Sequence, residues 1–278
     1  IAGSLCAERV VVAQRWDRLF AMATVALLIG TVWLALTASF LPQSRANAPH
    51  PLVSDVSASR NAERWRAVWL LSALAIVFWL TVLQAGGSLA LFADTNTTRS
   101  VTIFGRRFAV GPTDFAALHG LLVIALLPLL VWGSAWLRRR NREPSTSIKM
   151  VWGYVATAGG FALLAAAGLS GDESARVGPA WLTGCYILLS VAEVFLAPLS
   201  MSLVTQLAPP NRAGQAIGLW FAAAAVGNVI AGLLGLLWGS WPHHQYFALL
   251  ALLSLAAAAV LLSRLRLLDA ATDSRSVG

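Results

Sequence analysis

The chain has 278 residues, 58% hydrophobic and only 12% charged, with a mean hydropathy of +0.71. Soluble domains carry about twice that charged fraction to keep their surfaces in water, so most of this surface faces another solvent, and lipid fits. The net charge of +8 does not indicate a nucleic-acid partner, because the Lys and Arg residues sit in short connections between apolar runs, where a positive-inside bias puts them.

Ile1 rather than Met opens the chain close to its first apolar run, so we expect the natural N-terminus to lie upstream. A spanning helix needs about 20 largely apolar residues. Leu19 to Leu41 is the first such run and Ala67 to Ala93 the second. The third, Phe115 to Leu137, is broken only by His119, and the fourth is Met150 to Ser170. Gly178 to Pro209 is the fifth and holds one charge, Glu193. No Asp, Glu, Lys or Arg occurs from Ala213 to Ser263, a stretch too long for one helix. The turn chemistry of Gly239-Ser240-Trp241-Pro242-His243-His244 divides it into spans six and seven. The pattern predicts an all-α membrane protein of about seven transmembrane helices.

Between spans two and three, Val101–Phe104 and Arg107–Val110 flank Gly105-Arg106, which predicts a small external β-hairpin. Pro128 and Pro198 fall inside spans three and five, where neighbouring helices tolerate a kink. Small residues cluster in span six, as Gly214-x-x-x-Gly218, Gly227-x-x-x-Ala231 and Gly232, and read as close helix packing. Cys6 and Cys185 offer no metal spacing and read as unpaired, buried thiols.

Loop charges orient the spans. Residues 138–149 hold Arg138, Arg139, Arg140, Arg142 and Lys149 against Glu143 alone, which predicts a cytoplasmic loop. Alternation then puts the Arg60–Arg66 approach, the Arg212 turn and the C-terminal tail on the same side. Residues 94–114, the Asp172–Arg176 loop and the His243–His244 turn fall outside. Arg9, Arg15 and Arg18 break this pattern, so span one has the least secure topology.

Glu193 stands near the middle of span five. A carboxylate at that depth costs roughly 2.5–3.5 kcal/mol on insertion scales, so it must be paired, protonated or hydrated. None of the predicted spans contains a Lys or Arg, which leaves a proton, a substrate amine or a residue outside this chain as its counter-charge. Protonation with a hydrogen bond to a backbone carbonyl is the plain structural alternative. The softer polar residues inside spans are Gln84, His119, Tyr186 and Asn228, and Trp220 lies deeper than an interfacial tryptophan normally does. Each is compatible with an interhelical hydrogen bond or packing role; together with Glu193 they could line one cavity.

Several motifs resemble the proton-coupled oligopeptide transporters of the major facilitator superfamily. Phe78-Trp79, Gln84-Ala85-Gly86-Gly87-Ser88-Leu89 and Leu91-Phe92-Ala93-Asp94 look like the family's seventh helix. The run from Tyr186 through Glu193 to Pro198-Leu199-Ser200 is similar to its tenth helix. Leu207-Ala208-Pro209, Gly218-Leu219-Trp220-Phe221 and Gly227-Asn228-x-x-Ala231-Gly232 look like its eleventh. The likeness spans about residues 62 to 264.

That resemblance implies a C-terminal six-helix bundle over 62–266, with helices near 62–93, 115–137, 150–170, 179–205, 213–238 and 245–264. Residues 1–61 would carry the extra helix that bacterial members insert between bundles, and 267–278 a cytoplasmic tail. It further implies a multi-pass protein of a bacterial-type plasma membrane that couples uptake of di- and tripeptides to protons. Glu193 would receive the peptide amino group and Trp220 would wall the pocket, with Gln84, Asn228 and His119 as further binding residues. Glu193 and His119 would share the proton work.

Three departures bear on this expectation. Leu83 stands where members usually carry an acid before Gln84, His119 where they carry Asn, and Ala197 where a serine precedes the proline. The family's first bundle, with its glutamate-rich first helix, is not in this chain, so by itself the chain is expected not to transport. The partners implied are a small peptide, protons, the bilayer and the missing N-terminal bundle; no cofactor or metal is implied. Alternatives are a major facilitator exporter of cationic or amphipathic molecules and a degenerate, non-transporting fragment. An enzyme built on Gly168-Leu169-Ser170-Gly171 is disfavoured, because Ser170 ends a span and the only later histidines lie in a loop.

Overall fold

The computed structural model of the chain describes residues 16–37, 56–103, 106–170, 176–209, 211–265 and 267–268. The chain divides into two compact units, Ile1–Ala58 and Ser59–Gly278. In the first, α1 runs from Trp16 to Thr37. Its Leu27, Leu28, Ile29, Trp33 and Leu36 are exposed, the surface of a helix made for an apolar solvent. The hydroxyls of Thr31 and Thr37 donate back to the carbonyls of Leu27 and Trp33, so neither needs water. The apolar stretch Leu27–Thr37 is shorter than a span, and residues 38–41 of the expected helix lie outside the described residues, as do Cys6, Arg9 and Arg15.

The second unit contains six helices long and apolar enough to cross a membrane, in agreement with the expected bundle. After α2 (Val56–Val82) the chain tightens into a 3-10 turn, Leu83–Gly86, before α3 (Ser88–Thr95). The expected helix 62–93 is therefore broken, and the cause is local. Gly86-Gly87 weakens helical propensity, and the Gln84 side chain takes over the exposed polar groups. Its amide donates to the Leu80 carbonyl, and its oxygen accepts from Ser88 and from Tyr246 at 2.7 and 2.8 Å.

Strands β1 (Ser100–Ile103) and β2 (Arg106–Ala109) form the predicted hairpin, antiparallel, with Val101 opposite Phe108. Arg106, expected in the turn, begins β2; Phe104 and Gly105 lie outside the described residues. Next, α4 (Pro112–Arg139) starts ahead of the expected 115 because Pro112 occupies its first turn and Asp114 accepts the Gly111 N–H at 2.8 Å. Its far end closes with Asn141 in the left-handed region, φ 51°. There the Arg142 and Asn141 N–H groups donate to the carbonyls of Leu137 and Arg138.

That turn folds Glu143 back between Arg138 and Lys149. Its carboxylate accepts from both at 2.6 Å, and these two cations hold its pKa down at about 2. Ser145 caps α5 (Thr146–Leu169), so this helix begins four residues before the expected 150 and draws Lys149 into its buried first turn. Lys149, expected in the 138–149 loop, therefore lies inside the helix. Lys149 also donates to Ser134 at 3.0 Å, which ties α5 to α4.

The long helix α6 (Pro179–Leu207) packs along α4, then α7 (Ala213–Gly235) and α8 (His243–Ser263) complete the unit. α7 ends before the expected 238, because residues 236–240 form the turn that Gly239 and Ser240 favour. Packing concentrates in two clusters. One gathers Leu71, Phe78, Tyr154, Leu196 and Trp220. The other gathers Phe92, Phe161, Tyr186, Tyr246 and Phe247. At the hairpin end, Val177 pairs with Asn96 and Thr98 through backbone hydrogen bonds; residues 171–175 before it lie outside the described residues. Ser170 donates its hydroxyl to the Ala166 carbonyl. Cys185 is a buried free thiol, as expected.

Candidate functional site

α6 is apolar along nearly its whole length, with Glu193 fourteen residues from each end, about 21 Å at helical rise. Ser190 precedes Glu193 by one helical turn and Tyr186 by two, so all three share one face. Helix α4 lies alongside and presents His119 to that face. Nε2 of His119 sits 2.8 Å from Oε2 of Glu193, and Nδ1 sits 2.8 Å from the Ser190 hydroxyl. Beneath them, Phe115 stacks on Tyr186 with ring centroids 5.9 Å apart, and the His119 ring lies 5.8 Å from the Tyr186 ring.

The expectation that Glu193 has no counterpart on its own chain is therefore corrected. Counting only Lys and Arg overlooked imidazole, which becomes a cation by taking one proton. The Glu193 side chain is 29% exposed and that of His119 16%, so the pair lies at the bundle surface rather than sealed inside it.

Hydrogen-bond accounting assigns the proton on the ring. The Ser190 hydroxyl donates to the Tyr186 carbonyl at 2.7 Å. Its oxygen is then left to accept, which makes His119 Nδ1 a donor. A 2.8 Å contact between Nε2 and the carboxylate places one proton between them, carried on the ring nitrogen or on the carboxyl oxygen. With no proton, two lone pairs would face each other. This arrangement can hold a proton at Glu193, or exchange it for another cation that takes the carboxylate from His119.

The other expected site residues lie elsewhere on the bundle. Gln84 is buried in the α2–α3 break, bonded to Tyr246 and Ser88. It connects to the pair indirectly, since the Tyr186 hydroxyl donates to the carbonyl of the adjacent Ala85 at 3.0 Å. Trp220 is 3% exposed, edge-on to Trp79 at 5.9 Å, and both indole N–H groups are buried without an acceptor among the described residues. Asn228 is exposed two turns further along α7. Neither Trp220 nor Asn228 bonds to Glu193 among the described residues. Sequence reasoning missed Ser190 and Tyr246. Ser190 was open to detection, because its spacing of three from Glu193 places it on the same helical face.

A family profile described as the POT family matches residues 46–239. The chain is 33% identical over 178 residues to the peptide transporter YePEPT of Yersinia enterocolitica, covering 63% of this chain and 34% of that protein. A di-/tripeptide transporter of Lactococcus lactis subsp. cremoris is 25% identical over 188 residues, covering 68% of this chain and 37% of that protein. Among solved structures, a POT family transporter in complex with a thioalcohol-conjugated peptide superposes with a TM-score of 0.69 at 18% identity. It covers 95% of this chain and 51% of that one. A POT family transporter in complex with 5-aminolevulinic acid gives 0.67 at 19% identity, covering 94% and 50%. At these identities the structural likeness concerns the fold. The chain spans about a third of the length of the curated relatives it matches, and about half of the solved chains.

Proposed function

The chain belongs to the POT family, and from that membership we propose that its bundle forms one wall of a proton-coupled importer of di- and tripeptides. Glu193 receives the peptide ammonium group, and His119 is the proton-bearing group that this ammonium displaces. The observation that supports this reading is the 2.8 Å contact between His119 Nε2 and Glu193 Oε2, which a single proton holds together. A peptide amine reaching the carboxylate replaces one cation by another, so binding and proton movement are linked at one oxygen.

Trp220 and Asn228 on α7 serve the peptide further from Glu193, and Gln84, whose amide is taken up by Leu80, Ser88 and Tyr246, shapes the α2–α3 break behind it. The indole N–H of Trp220 is a buried donor with no acceptor among the described residues, suited to a peptide carbonyl. The opposite wall comes from a second six-helix bundle, because transporters of this architecture bind at the midplane between two bundles. We place the protein in a bacterial plasma membrane with the Arg138–Lys149 turn and the C-terminus in the cytoplasm, from the five basic residues that turn carries against one acid.

Labelled dipeptide uptake by the full-length protein in proteoliposomes tests the function. An inward proton gradient is expected to drive accumulation, and collapsing it with an ionophore to stop it. A free dipeptide should compete, whereas the same dipeptide acetylated at its amino end should not. Competition by the acetylated form would remove Glu193 from the amine site. Orientation is tested separately by a single cysteine at Asn141 or at Thr98. Only the Thr98 position should react with a membrane-impermeant maleimide added outside intact cells, and the reverse labelling would invert the topology.

A further inference from the structure

At the opposite end of α4 from the hairpin, a side-open cavity of about 290 Å³ lies between α4 and α5 with α6 as its floor. Leu126, Leu130, Gly133, Trp152, Val194 and Phe195 give it an apolar lining. It is polar in one place, at the end next to the 138–149 turn, where Lys149 bonds to Ser134 and Glu143. Beside the cavity, Trp132 and Trp136 are exposed on α4, the position of tryptophans at the border of a bilayer. Arg140 stacks on Trp136 at 4.0 Å, so a guanidinium adjoins these rings.

Charge at that border is unbalanced. The single carboxylate of the turn, Glu143, is taken up by Arg138 and Lys149. Arg139 and Arg142 are exposed and make no ion pair among the described residues. An apolar groove leading inward from a cluster of uncompensated guanidinium groups matches a molecule with an anionic head and a hydrocarbon tail. Free phosphate would leave the groove empty, and a zwitterionic lipid would bring its own cation to the arginines.

We propose that this groove binds one anionic phospholipid, an acyl chain lying between α4 and α5 and its phosphate at Arg139 and Arg142. The site is separate from Glu193 and does not depend on the transport reading. An occupant there braces α4 against α5 at the end where Lys149 ties them together through Ser134.

Native mass spectrometry of the full-length protein tests this, with phosphatidylglycerol and phosphatidylcholine of identical acyl chains. Wild type is expected to retain one phosphatidylglycerol at least about tenfold more often than phosphatidylcholine, whose choline cation offsets the attraction of two arginines for its phosphate. Gly133 lines the groove and a Cβ there would meet nothing within 4 Å, so Gly133→Phe puts a ring into the groove and should abolish retention. The double variant Arg139→Gln/Arg142→Gln leaves the groove intact and should equalise the two lipids. Equal retention of both lipids by wild type would overturn the proposal. So would phosphatidylglycerol binding that neither variant changes, the signature of ordinary annular lipid.

Discussion

Replacing Glu193 by Gln is expected to reduce gradient-driven dipeptide uptake by about a hundredfold or more while leaving the bundle folded. The magnitude follows from charge. A charge-assisted hydrogen bond contributes about 1.5–3 kcal/mol, and burying a charge without its partner costs about 3–5 kcal/mol. A peptide ammonium facing a neutral amide loses the first and incurs part of the second.

The fold survives for a reason visible in the site. Because Ser190 makes His119 Nδ1 a donor, Nε2 is free to accept an N–H from the amide that the substitution installs, so the α4–α6 contact persists. Uptake should therefore collapse with no change in melting temperature. The companion variant His119→Asn installs an amide that can donate to Glu193 but does not titrate. It is expected to retain dipeptide binding while flattening its dependence on pH. Wild-type uptake by Glu193→Gln would sink the proposal, and an unaltered pH profile in His119→Asn would take the proton from this pair.

The route from sequence to this site succeeded where hydropathy carries the information and failed where packing does. Six spans followed from apolar runs, and the hairpin from a β-rich sequence around Gly105, because lipid leaves few alternatives for backbone that must satisfy itself. Glu193 stood out as the one charge in its span. His119 was expected to share its proton work, but their direct pairing was not legible, since which face of α4 meets which face of α6 depends on helix packing rather than periodicity. One clue was present. His119 and Glu193 are each the most polar residue of an otherwise apolar span, and two such groups gain most by facing each other. The break at Gln84 was hidden for a similar reason: its stability rests on Tyr246, 162 residues away.

Helix ends missed by a few residues show the same division. Lys149 lies within the described α5 because Ser145 caps the helix and Glu143 neutralises the charge, neither of which a count of uncharged residues registers. The small-residue motifs of α7 also divide by packing. A Cβ on Gly214, Gly218 or Gly232 would meet nothing within 4 Å, so those positions make no close approach among the described residues. Gly227 differs. A Cβ there would come within 2.6 Å of the Ile76 carbonyl oxygen and 3.0 Å of the Trp79 Cβ.

Gly227→Ala is accordingly expected to have the largest effect on stability of any single methyl added to α7. The atom it meets is backbone, in the middle of α2, and cannot rotate away as a side chain would. The two helices must separate or slide, and forcing extra atoms into such a contact costs about 1–3 kcal/mol. For a unit of this size each kcal/mol lowers the melting temperature by about 2–4 °C. A fall of several degrees in detergent is therefore expected for Gly227→Ala, against less than a degree for Gly232→Ala, whose methyl enters open space. The variant should also weaken peptide binding, because Trp79, which faces Gly227, holds Trp220 edge-on, and any shift of α7 against α2 moves that indole. Equal melting temperatures for the two alanine variants would show that α2 and α7 do not meet at Gly227.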